Sequence, residues 1–434
     1  MIEDDRQTLR SIAWSELLPW LLLFRCFRIS VRLRPLVVCA AAAVLTVVGW
    51  SLIATIFSAN AKVAAQIADY NGCCWNSLAS VAEPAAESAP FRGHLRSGRA
   101  LLPRSETSLA ARDPNPVLGS WEHLSRPFRQ IYTMNADDPR ASTLAYSLLC
   151  GLWGLFVWAF AGAAVTRDAA LQLAAGQRSD WAAILAHARR RWRAYFWAPL
   201  MPLIGLLMAV VGMALLGLIM RLNFGVLAAG VLWPMLLLAG LLAALLLVGL
   251  LFGWPLMFAT IGTEDTDSFD ALSRAYAYVF QRPLHYLFYI AVAAAVGGLG
   301  WLFVSGVAQA VVAITLWATC LGSGGEFRLV GEPIPHLVYH FSSGDPVAHL
   351  GWLGDLLIRF WCDAARLVAV GYLYSYFWVS AAAIYLLLRR NVDDTELDEV
   401  RLDEEGNETF GLPEISTDEA GAQVVGDQPP ENGD

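Results

Sequence analysis

Three of the seven histidines lie within fourteen residues, in the sequence PHLVYHFSSGDPVAH. His336 and His340 are four residues apart, so a helix would place both imidazoles on one face, where Asp345 or His349 could complete a zinc site. No glutamate stands between the two histidines, which excludes the HExxH motif of metalloproteases. The proline and glycine content favours a polar loop with ordinary histidines. His336, His340 and His349 therefore stay as candidate metal ligands beside that alternative.

A second group of ionisable residues precedes the last apolar run. Arg359, Asp363 and Arg366 follow the spacing i, i+4, i+7 and share one face of a helix. If the last span begins before Leu356, they line a polar path through the membrane. If the span is 368–388, they lie paired at its outer interface with their apolar stems along the helix. The shorter span already suffices to cross and favours the second interpretation.

The cysteines suggest one cross-link. Cys73 and Cys74 lie in a long polar segment, and Cys320 lies at the end of an apolar run predicted on the same side of the membrane. An oxidising exterior would permit a disulfide between one of the pair and Cys320, and free thiols are the alternative. The other cysteines lie in or beside apolar runs, as small apolar fillers.

Two cationic segments combine guanidinium groups with aromatic rings. The residues that we assign to a lipid-facing surface are Arg25, Arg28, Arg32, Arg189, Arg190, Arg191, Arg193, Trp181 and Trp192. Beside apolar stripes such cations are expected to attract anionic lipid headgroups rather than nucleic acid. Anchoring of the chain by the positive-inside effect alone would also account for them.

The elements that position these residues are expected to cross a membrane. The 434 residues are 57% hydrophobic and only 16% charged, with a mean hydropathy of +0.49, whereas soluble domains carry about 25% charged residues. The predicted spans are 36–57, 144–166, 199–220, 226–261, 287–319 and 356–388. Residues 226–261 are expected to form one tilted helix or one broken near Pro234 or Pro255. The fold class is therefore all-α, a polytopic helical membrane protein.

The remaining segments alternate between the two membrane faces. They are an N-terminal amphipathic helix in 1–35, an extracytoplasmic segment 58–143, a cationic in-plane helix 167–198, a second in-plane helix 263–286, an extracytoplasmic loop 320–355 and a disordered acidic tail 389–434. Within 58–143, much of which is expected to be disordered, a surface helix bent near Pro127 is predicted around Trp121 and Phe128. The arginine clusters all fall on one side, which predicts that both termini are cytoplasmic.

The two in-plane helices are interpreted as an internal repeat. Setting Trp181 on Phe269 aligns the two segments without a gap. The same register places Trp192 on Phe280, and each segment leads into a span. The N-terminal helix is a more diverged third copy.

The second copy resembles a recurring bacterial pattern. The block that carries it is Asp270-Ala271-Leu272-Ser273-Arg274 with Phe280 and Pro283. It is similar to the six-span membrane domain attached to some glycerophosphoryl diester phosphodiesterases and found alone in many uncharacterised membrane proteins. The resemblance covers about 144–320 and implies an architecture and a membrane location. It implies no catalytic residue, because no soluble segment is long enough for the phosphodiesterase barrel.

The absence of catalytic motifs shapes the functional expectation. The sequence has no Walker A loop, no GxSxG and no GxGxxG after a strand, and its spans hold no paired carboxylates for a proton relay. We therefore expect a non-enzymatic protein without a cofactor that organises membrane lipid or partner proteins in a bacterial cytoplasmic membrane. Residues 391–434 carry 15 acidic residues against one arginine and are the expected site for a protein partner. A transporter or lipid translocator is the first alternative, and a metal-dependent membrane enzyme the second.

Overall fold

Six long helices dominate the computed structural model. It describes residues 18–58, 115–133, 141–174, 176, 180–221, 224–323, 326–328, 336–338, 348–393, 395, 415–417 and 423–425. The long helices are α2 (Leu33–Ser58), α4 (Ala141–Ala174), α5 (Trp181–Ile219), α6 (Gly225–Glu264), α8 (Pro283–Ser323) and α9 (Ala348–Asp393). Each is long and apolar enough to cross a membrane. The protein is therefore an all-α, multi-pass membrane protein.

Three shorter α-helices, one 3₁₀ turn (Pro19–Leu21) and two short strand pairs complete the described part. The helices are α1 (Leu22–Ser30), α3 (Pro116–Thr133) and α7 (Ser268–Gln281). Strands β1 (Glu326–Arg328) and β2 (His336–Val338) pair antiparallel. Strands β3 (Ile415–Thr417) and β4 (Gln423–Val425) do the same within a separate compact unit, 401–434. Disorder throughout the tail was therefore the wrong expectation for these six residues.

Four prolines lie inside long helices without interrupting them, so the single helix is the alternative observed for 226–261. Helix α5 is continuous for 39 residues through Pro199 and Pro202, and α6 is continuous for 40 through Pro234 and Pro255. The predicted in-plane helix 167–198 is therefore wrong as a separate element: its first residues extend α4, and the rest is the first half of α5. Neighbouring helices can satisfy the backbone groups that a proline frees, which makes proline tolerable inside a packed membrane helix.

The N-terminal boundary also differs from the prediction. Helix α1 ends at Ser30, and Pro35 lies in the first turn of α2 rather than ahead of it. A proline costs little there, because first-turn N–H groups have no partner within the helix. The buried face of α1 packs on α9, where the Cys26 thiol lies 4.0 Å from the Val379 carbonyl oxygen. Residues 1–17 lie outside the described part.

Helix α7 is a separate element, as its polar start and proline exit predict. The Asp267 carboxylate accepts a hydrogen bond from the Asp270 N–H at 2.9 Å, and Pro283 begins the next helix after Arg282. The face of α7 that packs on the bundle includes small side chains, since Ala271 and Ala275 are fully buried. The aromatic residues expected to anchor the helix are exposed on its outer face: Phe269 is 68% and Phe280 is 43% exposed.

The proposed repeat has different backbones in its two copies. The first copy runs straight through Pro199 within α5, whereas the second breaks at Arg282 between α7 and α8. The aligned aromatics differ as well, because Trp192 stacks on Phe160 of α4 while Phe280 is exposed. The alignment therefore does not correspond to a repeated three-dimensional unit.

The glycine-rich part of α8 packs closely and does not bend the helix. The Tyr376 hydroxyl donates to the Ala293 carbonyl oxygen at 3.0 Å, and the Tyr372 hydroxyl donates to that of Gly297 at 3.4 Å. A side chain at Gly297 or Gly300 would collide with these tyrosines. Of the two roles expected for these glycines, close packing and a hinge, the structure shows close packing.

Candidate functional site

The end of the bundle where α6 finishes carries a network of charges, which we call the charged end. Glu264 and Asp265 are adjacent, and Asp265 has a positive φ of 53°. This left-handed residue ends α6. Arg191 donates to Asp265 through Nε at 2.6 Å, and Arg190 through Nη2 at 3.2 Å. The His187 ring lies 3.5 Å from the same carboxylate.

The partners of Glu264 differ from those of Asp265. Its carboxylate lies 2.5 Å from Arg274 of α7 and 3.6 Å from Arg389 of α9. The Tyr385 hydroxyl of α9 donates to it at 2.5 Å. Two consecutive carboxylates therefore connect α6 to α5, to α7 and to α9.

The network shifts the pKa of the groups outside the spans. Burial by itself raises the pKa of Asp265, but the Arg191 hydrogen bond and the nearby charges of Arg190 and His187 lower it, so the pKa lies below its usual value. Burial lowers the pKa of Arg274, but Glu264, Tyr385, Asp270 and Tyr278 together more than offset this, so the pKa is raised. Each group is held in its charged form.

A buried pair lies beside this network in α4. Arg167 is 1% exposed and donates through Nη1 to the Gly262 carbonyl oxygen at 3.1 Å. Asp168 is 3% exposed and accepts from the Gln172 amide at 2.5 Å. Arg167 therefore ties α4 to α6, whereas the Asp168 hydrogen bond lies within α4.

The predicted lipid-facing cations divide into two groups. Arg190 and Arg191 pair with Asp265, and Arg32 interacts electrostatically with Asp168. The other four are exposed: Arg25, Arg28, Arg189 and Arg193. Within the part of the chain that the structure describes, these four have no carboxylate partner.

The aromatic residues of that predicted surface are partly buried. Trp192 stacks on Phe160 of α4, with ring centroids 5.6 Å apart and an interplanar angle of 16°. Trp181 is likewise half-buried against the core. Both tryptophans therefore contribute to helix packing, and the exposed arginines supply the accessible part of the surface.

Helix α3 lies in the middle of the bundle, contrary to the predicted position at the outer surface. The Trp121 indole donates to the Leu251 carbonyl oxygen at 3.2 Å, and the Asn115 amide donates to that of Ala294 at 2.8 Å. Along α6, Leu251 is about 20 Å from the charged end, and along α8, Ala294 is about 17 Å from Pro283. Measured along α6 and α8, the contacts of α3 therefore lie well inside the bundle, away from the charged end.

The polar side chains of α3 therefore lie among the spanning helices. His123 Nδ1 lies 2.7 Å from the Tyr374 hydroxyl of α9, and its ring is 5.0 Å from that of Trp50. Glu122 and Arg126, four residues apart, are half-buried on the same helix. Pro127 lies inside α3 without ending it. The spacing of Trp121 and Phe128 indicates this amphipathic helix, but no local signal indicates its depth.

A cleft lies between α3 and three spanning helices, next to Trp50 of α2. It holds about 910 Å³ of empty space, including the part that opens outward. Its lining includes Leu124 and Phe128 of α3, Gly154 and Trp158 of α4, Leu200 and Leu203 of α5, and Leu250 and Trp254 of α6. The indole N–H groups of Trp158 and Trp254 have no hydrogen-bond partner among the described residues. Both nitrogens are buried, so the cleft has a mainly apolar wall.

The predicted metal site has no support in the described part of the chain. His336 lies in β2, where Arg328 is its strand partner, so the helical spacing to His340 is not realised. His340 lies outside the described residues, and His349 lies in α9 with its side chain outside them. Among the described residues, no group of three His, Cys, Asp or Glu could hold a metal ion.

The other candidates fall largely outside the described part. Cys73 and Cys74 lie outside it, and so does the side chain of Cys320 in α8, so the disulfide stays a prediction. Arg359, Asp363 and Arg366 all lie in the continuous α9, with their side chains outside the described part. The candidate span of α9 begins at Phe360, earlier than the favoured boundary of 368.

Comparison with known proteins yields no relative. No family model matches the sequence, and neither a curated protein nor a solved structure matches it.

Proposed function

We propose that this multi-pass protein is a non-enzymatic component of the bacterial cytoplasmic membrane that binds and organises anionic lipid. The observation that carries the proposal is the exposure of Arg25, Arg28, Arg189 and Arg193, which the charged-end network leaves free. Each such arginine near a membrane surface contributes about 1 kcal/mol of attraction to anionic headgroups. The charged end would face the cytoplasm, with both termini, because short arginine-rich segments stay inside.

The acidic tail would serve a protein partner on the same side. It carries 15 acidic residues against one arginine from Asn391 onward. The resemblance to the six-span domain of glycerophosphoryl diester phosphodiesterases agrees with a membrane-organising role and brings no catalytic residue with it. A tail deletion is expected to abolish capture of that partner in pull-downs, and unchanged interactions and localisation would count against it.

Lipid co-purification tests the headgroup proposal. The protein is reconstituted in a mixture of phosphatidylcholine and phosphatidylglycerol, extracted with gentle detergent, and the bound lipids are counted by mass spectrometry. We expect phosphatidylglycerol to be enriched over the bulk ratio, and the quadruple variant R25Q/R28Q/R189Q/R193Q to return to that ratio.

The matched control is Arg221→Gln. Arg221 is exposed at the opposite end of α5, so this substitution removes a positive charge of the same kind from the other membrane face. It should leave the enrichment unchanged. Enrichment that survives the quadruple variant, or that falls equally in R221Q, would refute headgroup binding by these four arginines.

A lipid translocator is the second candidate, and the position of α3 favours it. A half-buried polar helix in the hydrocarbon layer could shield headgroups that cross. Proteoliposomes with a fluorescent phospholipid and an impermeant quencher measure the crossing. Scrambling above that of protein-free vesicles, reduced in E122Q/R126Q, is the expected result, and background rates would remove this candidate.

A further inference from the structure

Helix α6 changes character at Pro255. From Pro255 to Thr263 every residue is buried among the other helices. Before Pro255 the buried residues of α6 are all glycine or alanine, and large side chains such as Val231 and Met235 are 74% and 68% exposed. One half of α6 is therefore packed inside the bundle, whereas the other half has its large side chains outside it.

Helix α5 makes the same change at its own prolines. Pro199 and Pro202 are buried, and no residue of α5 after Pro202 is buried among those whose burial the structure describes. The two places are neighbours, since Pro199 lines the same cleft as Leu251, which lies one helical turn from Pro255. Because α6 follows α5 after a short connection and packs against it, the two exposed halves form one hairpin, 203–254, which we call the arm.

A backbone carbonyl at the base of the arm lacks its usual helical donor. Pro255 has no N–H, so it cannot donate to the Leu251 carbonyl oxygen four residues earlier. The Trp121 indole of α3 donates to that oxygen instead, at 3.2 Å. The Tyr286 hydroxyl of α8 donates to the next carbonyl oxygen, that of Phe252, at 2.6 Å. Two other helices therefore supply donors at the point where proline weakens α6.

We propose that Pro255, with Pro199 and Pro202 beside it, forms a hinge between the arm and the bundle, and that Trp121 and Tyr286 hold this hinge in one position. A helix bends more easily at a proline, because one hydrogen bond of the helix is missing there. The two side-chain hydrogen bonds connect this weak point to α3 and α8, so the arm keeps one orientation while they are made. Since α3 supplies one of them, displacement of α3 would release the arm. The hinge would operate whether or not the charged end binds lipid.

A double-mutant cycle tests the pairing between Trp121 and the carbonyl that Pro255 leaves without a donor. Pro255→Ala supplies an N–H, so the Leu251 carbonyl regains a donor within the helix. We expect the decrease in unfolding temperature caused by Trp121→Phe to be at least halved in the P255A background. Pro255→Leu supplies the same N–H and replaces P255A if that variant does not fold. An equal decrease in both backgrounds would overturn the proposed role of Trp121.

The matched control for the cycle is Tyr276→Phe. The Tyr276 hydroxyl of α7 also donates to a carbonyl oxygen of α6, that of Leu246, at 2.7 Å. Residue 250 is a leucine, so the Leu246 carbonyl has the helical donor that Leu251 lacks. Y276F should therefore lower the unfolding temperature equally in the wild-type and P255A backgrounds. A decrease that is halved in P255A as well would mean that P255A changes α6 in general, and would overturn the specific pairing with Trp121.

Double electron–electron resonance in nanodiscs tests the movement of the arm. Ketoxime spin labels, which leave the native cysteines untouched, are placed at Met235 of the arm and at Leu299 of α8, both of which are exposed. The wild-type protein should give one narrow distribution of distances. The variant W121F/Y286F should broaden this distribution or add a second distance, because the hinge is no longer held. Adding P255A to that variant should narrow the distribution again.

A second label pair controls for a general loosening of the bundle. It joins Leu45 of α2 to Leu299, two exposed positions outside the arm. Its distribution should be the same in the wild-type protein and in W121F/Y286F. An unchanged Met235–Leu299 distribution in that variant, or an equal broadening of both pairs, would overturn the hinge.

Discussion

The charged end and the cleft region are built from opposite kinds of side chain. At the charged end, Glu264 and Asp265 each have several charged partners, and even the 1%-exposed Arg167 donates to a carbonyl oxygen. The cleft is lined mainly by leucine, tryptophan and phenylalanine side chains and encloses space that they do not fill. Ion pairs between helices therefore hold the charged end together, whereas the cleft region depends on apolar packing.

The largest expected effect comes from removing a carboxylate at the charged end. Glu264→Ala takes the shared partner from Arg274, Arg389 and Tyr385, and we expect a loss of about 3 kcal/mol in the free energy of unfolding. Asp270→Ala is the control, because Asp270 is exposed and lies 3.8 Å from Arg274, a surface pair of less than about 1 kcal/mol. Thermal unfolding in detergent measures both, and similar shifts for the two would contradict this account.

The pH dependence should identify the same end of the bundle. The pKa of Asp265 is lower in the folded protein, so its stabilising contribution is complete above the usual carboxyl pKa of about 4 and is lost as the pH falls through the folded value. We expect the unfolding temperature to decrease when the pH is lowered below about 4. Asp265→Asn should start from a lower stability and lose less on acidification. An equal acid response in both proteins would be the contrary result.

A smaller effect is expected where α3 is held in the middle of the bundle. Tyr374→Phe removes the hydroxyl 2.7 Å from His123 Nδ1 and should cost about 1–2 kcal/mol. Because the bond holds α3 in place, proteolysis of α3 should also become faster. Tyr372→Phe is the comparison within α9, since its hydroxyl makes a longer bond of 3.4 Å to Gly297. An unchanged rate of proteolysis in Y374F would show that packing alone positions α3.

The smallest effect separates two tryptophans near the cleft. Trp121→Phe loses a hydrogen bond to Leu251 and should cost about 1 kcal/mol. Trp158→Phe in lipid-free detergent should cost close to nothing beyond the change in ring size, because its N–H has no partner to lose. The unfolding temperatures of the two variants measure the difference between these losses. A larger loss in W158F would mean that its donor is satisfied in solution.

The class of protein and its six spans follow from composition and run length. Predicting a span needs no knowledge of its tertiary contacts, because an apolar run of about 20 residues crosses a bilayer by itself. The sequence also identified Trp121 and Phe128 as positions on an amphipathic helix, and the arginine clusters as one charged side. The boundary at Pro199 was wrong, and of the two alternatives for 226–261 the single helix is observed, because neighbouring helices compensate for what a proline removes.

The sequence by itself determined that the chain crosses lipid, since hydrophobicity is a property of each segment taken alone. The tertiary structure decided which polar groups meet. Asp265 pairs with Arg191 from 74 positions earlier, and His123 contacts Tyr374 from 251 positions later. It also decided that α3 lies in the middle of the bundle. An amphipathic helix is compatible with a membrane surface and with a polar-lined interior, and the helices that receive it make that choice.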